Sequence, residues 1–217
     1  ILLIFLSVFA PVVLGARSGV KSAAIEQIHA AYSFGYAGGA LGTGALRSME
    51  ASPGVVMAVA AAVSALLALA AFEKDGKIDG LNAPPEGTSA NLGMIPVIGG
   101  AIVLIAFMSE NAAESWSALH IEKTLNGSAA LGSAGPAVLA LTMGMARVFG
   151  HGLSAKISAL RLLLIGAAIS ACGALAVALA PSAYLAYAGF IVMGIGSSVI
   201  APTAFTLVGT MAAPEAR

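Results

Sequence analysis

The sequence predicts an all-α membrane protein, a polytopic helical bundle. Of its 217 residues, 59% are hydrophobic and only 9% are charged, and the mean hydropathy is +0.96. A soluble domain carries roughly 25% charged residues, so this chain has too few to cover a water-facing surface. The net charge is zero, which gives no basic surface for nucleic acid. The expected surroundings are lipid, with several passes through the bilayer.

Seven apolar segments are long enough to cross a bilayer, which takes ~20 mostly apolar residues. In chain order they cover 1–16, 27–47, 54–72, 94–119, 129–151, 159–180 and 183–209. Residues 73–93 differ from the other connections, since they hold four of the ten acids together with two lysines and two prolines. This composition is typical of a solvated linker. It separates three predicted helices from four.

The two ends of the sequence indicate whether further helices are expected before and after it. Residue 1 is an isoleucine within an apolar run, and no basic signal-peptide region precedes that run. The last residues, APEAR, are typical of the start of a loop. We therefore expect the sequence to be an internal piece of a longer protein, with helices missing on both sides.

The cations predict which side each connection faces, because short cytoplasmic loops are enriched in Lys and Arg. If the connections alternate sides, Arg47 and Lys123 lie on one side. The other eight cations lie on the opposite side: Arg17, Lys21, Lys74, Lys77, Arg147, Lys156, Arg161 and Arg217. This split predicts a cytoplasmic 73–93 linker.

Two acids in the fourth segment are the strongest functional signal, because ionisable groups within a span cost ~2.5–3.5 kcal/mol and usually face a cavity or a partner. Glu110 and Glu114 are four residues apart and share a helix face, with Asn111 and Trp116 nearby. We expect Glu110 to be the main protonatable group and Trp116 to form an apolar platform for substrate. The alternative is that the span ends near Phe107 and both acids lie in an interfacial loop.

Two further positions could line a cavity. His29 opens the second segment with Ser33 one turn later, and the histidine could donate to a substrate, carry a proton or face lipid headgroups. In the last segment Ser198 precedes Pro202, where hydroxyls either line a cavity or satisfy carbonyls freed by the proline. The glycines of GYAGGALGTGA predict a close helix contact in the second segment.

No enzyme motif is present: the sequence lacks H-E-x-x-H, a P-loop and a dinucleotide fingerprint. The single cysteine, Cys172, excludes a disulfide framework or a thiol metal site within the sequence. These observations favour a protein that is not an enzyme, with no cofactor and no metal. The open alternative from another class is a membrane receptor or an intramembrane enzyme.

The motifs at the ends of the predicted helices resemble the major facilitator superfamily (MFS) of secondary transporters. GMARVFGHGL at 144–153 resembles the G-R-x-x-G-D-x-L loop between helices 8 and 9, with Arg147 and Gly150 matching and His151 in place of the acid. ENAAESWSA at 110–118 is similar to a bacterial helix 7 stretch, E-G-x-x-x-D-W-S-A. HAAYSFGYAG at 29–38 resembles helix 5 of the sugar-permease-like branch.

On this resemblance the chain covers helices 4 to 10 of twelve, part of a major facilitator fold. Residues 1–72 are the last three helices of the N-terminal half, 73–93 the cytoplasmic linker between the halves, and 94–217 the first four helices of the C-terminal half. Arg147, Gly150 and His151 would form a gating loop. The substrate or proton site would draw on the other candidates: Glu110, Glu114, Trp116, His29, Ser33, Asn111 and Ser198.

The function implied is secondary active transport of a small, sugar-like polar solute, coupled to protons, in the cytoplasmic (inner) membrane of a bacterium. The partners are then the solute, protons and lipid. A drug or metabolite exporter of the same fold is the alternative within the family.

Overall fold

The computed structural model describes residues 22–70, 94–154 and 156–204, and its regular elements in these ranges are all helical. The α-helices are α1 (Ser22–Ser48), α2 (Pro53–Ala70), α3 (Ile95–Leu119), α4 (Ala129–Ser154), α5 (Ala159–Ala178) and α6 (Ala183–Ser198). A π-helical turn, His120–Thr124, continues α3. The first predicted segment, 1–16, and the whole 73–93 linker lie outside the described residues.

Each of the other six predicted segments coincides with a helix. Four helices in the described ranges are long and apolar enough to cross a membrane: Val97–Thr124, Ala129–Gly150, Ala159–Ala178 and Ala183–Ala204. A shorter apolar helix covers Pro53–Leu66. The prediction of an all-α, multi-pass membrane protein is confirmed.

Helix α4 is the centre of the described bundle. It packs most extensively against α1 and also contacts α3 and α6, whereas α5 packs on α6. Ile121, Leu139, Met143 and Phe190 are almost fully buried where α3, α4 and α6 meet. Because α4 has neighbours on three sides, a polar side chain that it points inward can be shared by all three.

Glycines bring α5 and α6 close together. A Cβ added at Gly173 would overlap the backbone of Met193, and one added at Gly196 would overlap the backbone of Ser170. Small residues at a contact let two helix backbones approach closely in a membrane. The second segment is mixed: a Cβ at Gly35, Gly38, Gly39 or Gly42 would meet no atom within 4 Å in the part of the chain that the structure describes, whereas one at Gly44 would overlap the side chain of Ser133 on α4.

Replacing Gly173 by Leu should therefore separate α5 from α6. The added side chain would meet backbone, which cannot rotate away, and overpacking of this kind costs ~1–3 kcal/mol or more. We expect the Gly173→Leu protein to unfold at a lower temperature than the matched Gly100→Leu variant, because a Cβ at Gly100 meets nothing within 4 Å among the described residues. Equal thermal unfolding of the two purified variants would contradict this contact.

The ends of α4 should lie on opposite sides of the membrane. Ser128 and Lys156 are exposed and flank this helix, whose 26 residues are long enough to span a bilayer. In a Cys172→Ser background, Ser128→Cys should react with an impermeant thiol reagent from outside the cell and Lys156→Cys only after access to the cytoplasm. Labelling of both positions from one side would overturn the topology.

Candidate functional site

Arg147 projects from α4 into the bundle, and its side chain is only 1% exposed. Its Nη1 donates to Ser33 Oγ at 2.6 Å and to the backbone carbonyl of His29 at 3.1 Å. Its Nε donates to the carbonyl of Ser198 at 3.3 Å. The guanidinium therefore joins α1, α4 and the end of α6. We call this group the Arg147 cluster: Arg147, Ser33, Ser198, Glu110, Glu114 and the His29 backbone.

Two carboxylates on α3 complete the cluster. Glu110 and Glu114 are 7% and 6% exposed, and Glu110 Oε1 lies 3.7 Å from Arg147 Nη2. That distance is an ion pair without a hydrogen bond, and Nη2 has no hydrogen-bond partner among the described residues. One buried cation therefore faces two buried acids. Because α3 continues to Leu119, the alternative that the span ends near Phe107 is wrong.

A proline explains why one of the acceptors, the Ser198 carbonyl, is available to Arg147. In an α-helix the carbonyl of Ser198 would accept from the N–H four residues later, but that residue is Pro202, which has no N–H. Helix α6 is interrupted at Val199 and resumes at Ile200. The Ser198 carbonyl is thus left for another donor, and Arg147 Nε takes it.

The α1 side of the cluster depends on helical spacing and on a glycine. His29 and Ser33 are four residues apart, and Ser33 Oγ donates to the His29 carbonyl at 3.0 Å. Gly144, one turn before Arg147, faces α1, and a Cβ there would lie 3.0 Å from the Phe34 ring. The absence of a side chain at Gly144 lets α1 come close enough for Ser33 to reach the guanidinium.

Arg147, Gly150 and His151, the residues expected to form a gating loop, all lie within α4, which runs to Ser154, and their gating role stays a prediction. The residues that match the loop motif therefore form the last two turns of this helix. Arg147 also leaves the cytoplasmic cation count, because its guanidinium is inside the bundle. Eight minus one leaves seven cations against two, so the direction of the charge bias is unchanged.

The structure separates Trp116 and Asn111 from the two acids. Both are exposed, Trp116 by 65%. Trp116 is six residues after Glu110, about 240° around the helix at 100° per residue. The side chains of Glu110 and Glu114 face the bundle, whereas Trp116 points to another face of α3. Its role as a substrate platform stays a prediction.

Sequence reasoning found the acids and Ser33 but missed that Arg147 joins them. The available signal was the position of this arginine inside the apolar segment 129–151, where a charge needs a partner. No group of three or more His, Cys, Asp or Glu side chains in the described ranges could hold a metal ion. Chemically, the cluster can exchange a proton at a carboxylate and present hydroxyl and carbonyl groups to a polar solute.

Comparison with known proteins finds one relative. No family model matches the chain, and no solved structure matches it. Over 189 residues the chain is 26% identical to an uncharacterised MFS-type transporter of Yersinia pestis. The match covers 86% of this chain and 48% of that protein, so the chain spans about half the length of the relative. The chain is thus similar, over most of its length, to part of an MFS-type transporter.

Proposed function

We propose that the protein containing this chain is a secondary active transporter of the MFS that moves a small polar solute, sugar-like in its hydroxyl groups, with protons. The apolar helices and the similarity to the Yersinia pestis protein support the transporter class. That the relative is bacterial supports the cytoplasmic membrane of a bacterium as the location. The division into 1–72, 73–93 and 94–217 belongs to the same proposal.

The observation on which the proposal depends is that Arg147 connects α1 to the helices that follow the linker. On the proposed division, Ser33 belongs to one half, and Arg147, Glu110 and Ser198 belong to the other. In transporters built from two halves, substrate and ions bind between the halves near the midplane. A buried, hydrogen-bonded charge at that boundary is a suitable place to couple a proton to movement of the halves.

The chemistry of the coupling rests on the neighbouring charges. When Glu110 is ionised, it attracts Arg147 and holds the guanidinium toward α3. When Glu110 takes up a proton, this attraction is lost, while Arg147 keeps its hydrogen bonds to the neutral groups of Ser33, His29 and Ser198. A proton can shift the equilibrium between two conformations only if they differ in proton affinity, and we infer that separation of Glu110 from Arg147 on opening would create that difference.

The polar groups of the Arg147 cluster also limit which kind of solute could bind there. The acceptors and hydroxyls at Ser33 and Ser198 suit hydrogen bonds to a hydroxylated solute. A small cavity of about 20 Å³ beside Arg147 and Ser198 is large enough for a water molecule but not for a solute. This cavity, which lies between α4, α5 and the end of α6, is therefore too small to hold the solute in the conformation described here.

Glu110→Gln should uncouple protons from solute in the full-length protein reconstituted in vesicles. The amide keeps the shape of the side chain but cannot exchange a proton. We expect solute-driven proton movement to fall to background while solute exchange stays measurable. Glu50→Gln is the matched control, because Glu50 is exposed at the end of α1, and it should keep full coupling.

Proton movement that is unchanged in Glu110→Gln would remove this carboxylate from the coupling mechanism. Loss of both exchange and coupling, in a variant that folds normally, would assign Glu110 to solute binding instead.

A further inference from the structure

A second ion pair joins the same helices far from Arg147. Arg47, in the last turn of α1, makes two hydrogen bonds to Glu122 in the π-helical turn, at 2.7 Å and 2.9 Å. Two parallel N–H···O bonds make this a bidentate pair, the strongest geometry for an arginine and a carboxylate. The side chains are 41% and 15% exposed, respectively. In the sequence, Arg47 precedes the 73–93 segment and Glu122 follows it.

Glycines on α4 and α1 leave room for this pair and for the helix contact beside it. A Cβ at Gly132 of α4 would overlap the Glu122 side chain as it lies across α4 toward Arg47, so a larger residue there would displace that side chain from its present position. On α1, a Cβ at Gly44 would overlap the side chain of Ser133. Helix α1 therefore packs closely on α4 beside the pair, and Ser133 is buried there, at 7% exposure.

The two charged contacts lie at different levels of the bundle. Ser33 and Arg47 are fourteen residues apart on α1, or about 21 Å at 1.5 Å per residue. The Arg147 contact holds α1 toward its middle, at His29 and Ser33, and the Arg47–Glu122 contact holds its C-terminal end. Helix α1 cannot move away from the π-helical turn at its Arg47 end without breaking both hydrogen bonds to Glu122.

We propose that the Arg47–Glu122 pair is a latch that closes the bundle at the end of α1 remote from Arg147, and that it breaks whenever the protein opens at that end. The inference rests on the proposed transport function, because a transporter must open at each end in turn. Breaking it separates α1 from the π-helical turn and exposes the contact around Ser133. The latch is electrostatic, so exchanging the two charges preserves it.

The test measures opening itself. In the full-length protein with Cys172→Ser, Ser133→Cys places a thiol under the latch, and its reaction with an impermeant methanethiosulfonate reagent follows the open population. Glu122→Gln and Arg47→Gln should each raise the labelling rate about two- to fivefold, the range set by a partly exposed ion pair. Gly132→Ala should do the same without changing a charge, because it displaces the carboxylate.

Two controls separate a latch from general loosening. The double exchange Arg47→Glu with Glu122→Arg should return the rate to that of the unaltered pair. A second reporter, Ser197→Cys, is buried at the α5–α6 contact, where Ser197 hydrogen-bonds Ser170 at 2.8 Å. Its labelling should stay the same in all of these variants.

An unchanged rate at position 133 in Glu122→Gln would overturn the latch. Equal increases at positions 133 and 197 would also overturn it, because the pair would then stabilise the whole bundle. Labelling needs no solute, so a failure of the transport proposal appears separately: the latch variants would respond as expected while reconstituted protein moved no solute.

Discussion

The burial of the Arg147 guanidinium is the constraint on which the described structure depends. A charge within a membrane span costs ~2.5–3.5 kcal/mol on insertion scales and more without partners. Here α1 provides a hydroxyl and a carbonyl, α6 provides a second carbonyl, and α3 provides a carboxylate at 3.7 Å. These groups offset the cost only while α1, α3 and α6 keep their places around α4.

The positions of these helices depend on glycines, which lack a side chain, and on a proline, which lacks a backbone N–H donor. Glycines let α5 and α6 pack backbone against backbone, and Pro202 then leaves the Ser198 carbonyl free to accept from Arg147. Gly144 lets the middle of α1 approach α4, and Gly44 lets the C-terminal part of α1 do the same. Small residues and a proline thus determine where the charged groups can meet, and the charged groups determine which helices must move together.

Local spacing explains why part of this arrangement could be predicted from the sequence. The apolar segments predict helices because length and hydropathy are properties of each segment alone. Glu110 and Glu114, and likewise His29 and Ser33, share a face because four residues make about one helical turn. The Arg147–Ser33 and Arg47–Glu122 contacts join residues 114 and 75 positions apart. They depend on how distant helices pack, which no local pattern determines.

The most direct test of the central claim is a double-mutant cycle between Ser33 and Arg147. Ser33→Ala, Arg147→Met and the double variant would be compared with the unaltered full-length protein by equilibrium unfolding in mixed micelles. A hydrogen bond to a buried charged group predicts a coupling energy of about 1.5–3 kcal/mol. Additivity within ~0.5 kcal/mol would mean that the two residues do not interact, and would contradict the account.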